Sequence, residues 1–178
     1  RRAFLTGVAA LLAAPAFAHT PYGQWVFYRR KHLMIGSHRQ DMVTWELATA
    51  LAHDFEHDLA EASARVARAP RPERLASLIA TDQMDLVVLH RDTVPVMAAG
   101  TGVFAPYGQI PLRLIAVHGE HQLVAHARIP DRHAWLLAYA LNEGGRFDLP
   151  GPGMQPEAHP GVLAYLASGG GLPPAEGG

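Results

Sequence analysis

The order of apolar and polar positions changes period several times along this chain, and each change marks an element. Trp25, Phe27 and Arg29 alternate with Val26, Tyr28 and Arg30, the period of an edge strand over 24–30. His32-Leu33-Met34-Ile35 is a short apolar run closed by Gly36, which predicts a buried strand stopped by a glycine turn. Ser37–Asp41 reads as polar loop, with Asp41 as the N-cap of a following helix. From Met42 to Leu59, Trp45, Ala48, Leu51, Ala52, Phe55 and Leu59 share one helical face. Arg65–Ala69 alternates as a strand ended by Pro70 and Pro72, and Glu73–Ala80 is a short helix. Leu86-Val87-Val88-Leu89 is apolar on both faces, the mark of a central strand. A helix over Thr93–Ala99 stops at Gly100, and a Gly/Pro-rich loop reaches Pro111. Leu112–Val117 and Gln122–Ala127 are two more strands, joined through a turn at His118-Gly119-Glu120-His121. Asp131 is expected to cap an amphipathic helix, and Gly161–Ala167 forms the last one.

Strands alternating with helices define an α/β domain with a mainly parallel sheet flanked by helices. In such sheets ligands gather beyond the carboxyl ends of the strands, where strand order reverses. Three loops leave strand ends here, at Ser37–Asp41, Pro70–Arg74 and His90–Thr93. They supply the candidate ligand-binding residues Ser37, His38, Arg39, Arg71, Arg74, His90, Arg91 and Asp92. Arginine there favours an anion, which it holds through paired, charge-assisted hydrogen bonds. The competing expectation is that Arg74 and Asp92 pair with each other or with helix ends.

The first 18 residues change the picture. Arg1-Arg2 precedes an apolar run from Gly7 to Ala14, and Ala16-Phe17-Ala18 forms a small-residue cleavage site. That pattern predicts a signal peptide over 1–18, and the paired arginines resemble the twin-arginine (Tat) class. Cleavage would leave a domain over 19–168 and a Gly/Pro-rich tail, expected to be disordered, over 169–178. The expected location is the periplasm. A net charge of −1 argues against a nucleic-acid partner. The chain has no cysteine, which excludes disulfides, thiolate metal sites and cysteine nucleophiles.

The order of segments resembles the TAXI family of solute receptors, which serve TRAP-type transporters. The resemblance rests on Leu33-Met34-Ile35-Gly36-Ser37, on Leu75-Ala76-Ser77-Leu78 through Asp85-Leu86-Val87-Val88-Leu89 and Asp92, and on Gly100-Thr101-Gly102-Val103-Phe104. It continues through Leu112-Arg113-Leu114-Ile115-Ala116 and His159-Pro160-Gly161-Val162-Leu163-Ala164-Tyr165. It implies one lobe of a type II periplasmic-binding-protein-like fold. The blocks pass from about Ala127 straight to Ile129-Pro130-Asp131, so the middle portion that would build the family's second lobe is missing. The family's loop motifs are replaced here by His38–Trp45 and by Arg71-Pro72-Glu73-Arg74. The implied role is a non-enzymatic binding module for a small ligand or a transporter or partner protein, reaching a membrane only through that partner.

Histidine, at 11 residues, raises a different chemistry. After cleavage His19 would carry the free amine, and amine and imidazole together chelate Cu²⁺. His53 and His57 stand at i and i+4, where two rings share a helix face. His118 and His121 flank a tight turn. These five are the candidate metal ligands, with copper as the candidate ion and a periplasmic copper-binding protein as the alternative function. His159, before Pro-Gly, is expected to start a helix. There is no Gly-x-Ser-x-Gly turn or Walker loop, and the expectation is that the protein is not an enzyme.

Overall fold

The computed structural model describes residues 32–151 and 153–173. The 24–30 strand, His19 and the signal pattern therefore lie outside the described residues. Five strands, β1 (Met34–His38), β2 (Arg65–Ala69), β3 (Leu86–His90), β4 (Leu112–His118) and β5 (His121–His126), form one open sheet in the order β2-β1-β3-β5-β4. Among the described residues five α-helices accompany them: α1 (Met42–Asp58), α2 (Pro72–Ala80), α3 (Thr93–Ala99), α4 (Asp131–Gly144) and α5 (Pro160–Ala167).

The α/β class holds, but the sheet is mixed rather than mainly parallel. β2, β1 and β3 run parallel, while β5 lies antiparallel to both β3 and β4. The cause is the two-residue turn Gly119-Glu120, with Gly119 at φ +55°. So short a turn forces an antiparallel neighbour, whereas a parallel one needs a long crossover. β5 then occupies the place beside β3, and β4 is pushed outward.

The core has two layers. On one face Ile35, Leu86, Val88, Ile115 and Leu123 pack against Leu47, Leu51 and Phe55 of α1, Leu137 and Leu141 of α4, and Val162 of α5. On the other face Val87, Leu89, Leu114 and Val124 pack against Leu75 and Ile79 of α2, Met97 of α3, and Phe104. Consecutive residues of β3 thus serve opposite layers, which is why its run reads as apolar throughout. Trp45 is only half-buried, its ring under the Arg68 guanidinium at 4.5 Å, and Leu47 takes the core position instead.

Three local expectations change. β1 runs through Gly36 instead of stopping there, so Ser37 and His38 belong to the strand. Gly36 serves close approach: a Cβ on it would lie 2.3 Å from Met84 Sδ and 2.8 Å from Leu75 Cδ2. The Gly100–Pro111 loop contains a 3₁₀ helix over Gly102–Tyr107. Asp131 is the first residue of α4, and Pro130 holds the cap position, its carbonyl accepting from His133 and Ala134 N–H at 2.9 and 3.1 Å. Beyond α5, Gly171 O accepts a hydrogen bond from Trp135 Nε1 at 3.0 Å. Among the described residues, no helix is long and apolar enough to cross a membrane.

Met84 and Leu75 are almost fully buried, at 2% and 0% exposure, so neither has room to retreat. Gly36→Ala is expected to cost about 1–3 kcal/mol through overpacking. Urea unfolding checks this, and shortening Met84 to alanine in the same chain should recover part of the loss. A neutral Gly36→Ala would show that the packing around β1 is looser than described.

Candidate functional site

From β1 the chain crosses by α1, on one face, to β2. From β2 it crosses by α2, on the opposite face, back past β1 to β3. Strand order therefore reverses between β1 and β3, and their carboxyl ends flank the crevice where open α/β sheets take ligands. The His38–Asp41 and His90–Thr93 segments face each other there, and β5 starts at the same end with His121.

Side-chain alternation sorts the residues of this rim. Ser37 shares the α1 face with Ile35; it is fully buried, and its Oγ has no hydrogen-bond partner. His38 points to the other face, half-buried, and its Nε2 is buried without a partner. Its backbone N–H donates to Thr44 Oγ1 at 3.1 Å, which ties the strand end to the first turn of α1. Asp41 caps α1 as expected, accepting from Thr44 N–H at 3.2 Å. Arg39 is exposed; its N–H donates to Ala69 O at 2.8 Å and its carbonyl accepts from Arg68 Nη2 at 3.1 Å.

Arg71 and Arg74 belong to the end of β2, one strand further out. Arg71 occupies the cap position of α2 and is exposed. Among the described residues no carboxylate pairs with the guanidinium of Arg39 or Arg71. Arg74 reaches Ser77 Oγ at 3.5 Å, so the expected Arg74–Asp92 pair does not form. Across the crevice, Arg91 is committed to the hairpin: its Nε lies 2.6 Å from Glu120 Oε2 and its N–H donates to Glu120 O at 2.8 Å. His90 Nδ1 accepts from Asp92 N–H at 3.3 Å, and Asp92 is exposed. Ser37, His38, Arg39, His90, Arg91 and Asp92 thus gather at the β1 and β3 ends, with Arg71 and Arg74 on the β2 side.

Two residues of this rim were not predicted as ligand-binding. His121 faces His90 across the β3–β5 pair, ring centroids 5.5 Å apart and edge-to-face, and its Nε2 lies 3.6 Å from Asp41 Oδ2. Gln122, nearly buried, donates through Nε2 to Gln155 O at 3.0 Å and leaves Oε1 unpartnered. The signal for them was the pairing of β5 with β3, which no local pattern carries.

Among the described candidate metal ligands, His118 and His121 turn apart. His118 Nδ1 sits 2.9 Å from Arg146 O, its ring tilted on Phe147, while His121 turns to Asp41. His53 and His57 lie far along α1, rings exposed. Among the described residues, no three His, Asp or Glu side chains are arranged to hold one metal ion. Elsewhere, His159 starts α5 as expected, its Nδ1 accepting from Gly161 N–H at 3.2 Å. Asp85 accepts from Met34 N–H at 3.1 Å, and burial raises its carboxyl above the ordinary range. No family model matches the chain. No curated protein matches its sequence.

Proposed function

We propose that this protein is an exported, non-enzymatic binding module, a single lobe of the type II periplasmic-binding-protein kind, that takes a small anion at the carboxyl ends of β1, β2 and β3. The observation that carries this reading is the pair of exposed residues Arg39 and Arg71, whose guanidinium groups have no carboxylate partner among the described residues. They stand at the neighbouring carboxyl ends of β1 and β2. Asp41 and Glu120, two acids of the rim, have other partners. Asp41 serves the α1 cap, and Glu120 holds Arg91. A carboxylate ligand would supply the missing charge and accept from the free donors. Exposed arginines predict weak binding, because water still screens the contact. The order of sequence blocks resembling TAXI receptors, and the signal pattern over 1–18, support the same reading.

The test is calorimetric titration with dicarboxylates and acidic amino acids, alongside thermal shift, since a ligand that binds only the folded form raises its melting temperature. Binding is expected to weaken by about tenfold or more in the Arg39→Ala/Arg71→Ala chain, as each charge-assisted bond contributes about 1.5–3 kcal/mol. Failure of every carboxylate to bind, or equal binding by the double variant, would reject the assignment.

A further inference from the structure

The His53–His57 pair stands apart from the anion rim, further along α1, and the strand-end chemistry does not use it. Of the two, only His57 has the carboxylate of its next residue within hydrogen-bond distance of Nδ1. His57 Nδ1 lies 2.7 Å from Asp58 Oδ1, and His53 Nδ1 lies 3.8 Å from Asp54 Oδ1. An imidazole that donates through Nδ1–H to a carboxylate keeps Nε2 as its lone-pair atom. Both rings are more than three-quarters exposed, at 83% and 80%, so their Nε2 atoms are open to solvent. One turn of helix separates the two residues, which puts the rings on one face.

The rings do not stand on a bare helix. They line a concavity of about 300 Å³ together with Asp54, Asp58, Glu143 and Gly144, so the end of α4 closes it opposite α1. Asp54 is mostly buried and lies 3.9 Å from Arg146 Nε. Glu143 has no ion pair among the described residues. The geometry points to a divalent transition-metal site, with His53 Nε2 and His57 Nε2 as the chelating pair, Glu143 as the third ligand and Asp58 as the carboxylate that orients His57. Two imidazoles and one carboxylate suit Zn²⁺, with water in the fourth position. The donors do not converge as they stand. Closing on an ion requires the exposed side chains of His53, His57 and Glu143 to turn toward one another.

Zinc chloride titrated calorimetrically into the full chain, carrying no affinity tag, tests the site. One equivalent of Zn²⁺ is expected to bind, and His53→Ala or His57→Ala should abolish that event while leaving the melting temperature of the metal-free protein unchanged. Asp58→Asn should weaken it about tenfold, the usual effect of losing an orienting carboxylate. Glu143→Gln should weaken it as well. The Arg39→Ala/Arg71→Ala chain should bind Zn²⁺ like the parent, which separates this site from the anion rim. No binding up to millimolar zinc, or undiminished binding by the His53→Ala/His57→Ala chain, would overturn the proposal. So would wild-type affinity in both Asp58→Asn and Glu143→Gln, since that behaviour belongs to any exposed histidine pair.

Discussion

Replacing Gly161 with alanine is expected to lower stability by about 3 kcal/mol, the upper range for overpacking. A Cβ at Gly161 would lie 2.0 Å from Asp131 O, 2.7 Å from its carbonyl carbon and 2.9 Å from its Cα. These are backbone atoms of the first residue of α4, so no side chain can swing aside. Nor can the start of α5 retreat. Leu114 N–H donates to Glu157 O and His159 N–H donates to Leu114 O, both at 2.9 Å, which stitches the chain entering α5 to the edge of β4. Two helix N-termini are therefore wedged between a strand edge and each other. Val162 and Tyr165, at 0% and 3% exposure, fix the far side of α5 in the core. Urea unfolding should show the loss, with a melting temperature lowered by about 10 °C for a chain of this size. A change within about 0.5 kcal/mol, as at an ordinary surface site, would show that α4 and α5 do not meet this closely.

That contact explains why the His159-Pro160-Gly161 run was legible in the sequence. Each residue has a separate physical duty: an accepting side chain at the cap, a ring that presets the first helical φ, and the absence of a side chain where two backbones touch. Most elements were legible for similar local reasons. The alternation of Arg65–Ala69, the stop at Gly100 and the Asp41 cap depend only on near neighbours, and they appear where the pattern put them. What failed depended on distant partners. Gly36 looks like a turn until Met84 and Leu75 are known to fill the space above it. The sheet looks mainly parallel until the Gly119 turn returns β5 between β3 and β4.

The candidate site divides in the same way. Strand-end positions are local properties, so Ser37 to Arg39 and His90 to Asp92 could be named in advance. Their partners could not. Arg91 looked available for a ligand, yet Glu120 on the hairpin takes it. His121 looked like a partner for His118, yet it turns to Asp41 and His90. Both outcomes follow from the insertion of β5 next to β3, which sets His90 opposite His121. Because Arg91 N–H bonds Glu120 O, that pair is a non-hydrogen-bonded one, where side chains approach most closely.

The same cap predicts acid sensitivity. His159 is 1% exposed, and its Nδ1 accepts a hydrogen bond, so the folded protein needs the neutral ring. Burial is the main cause that lowers its proton affinity below the ordinary imidazole value; the Asp131 carboxylate, 3.7 Å away, and the Ile129 carbonyl pull the other way. His126 is lowered as well, by burial first and then by Arg128. For both, the unfolded chain binds protons more readily than the folded one. Their stability is fully present above the unfolded value of about 6.5 and is lost as pH falls through the folded values below it. Asp85 carries the opposite sign, because its raised carboxyl favours the folded state once protonated. Asp85→Asn is therefore the background in which to measure the histidine slope. In that background, urea midpoints should fall as pH drops below about 6.5. His159→Asn, whose amide oxygen can still accept from Gly161 N–H, should flatten the fall while leaving His126's share. A slope unchanged by His159→Asn would mean that the ring at the start of α5 takes up its proton as easily in the folded chain as in the unfolded one.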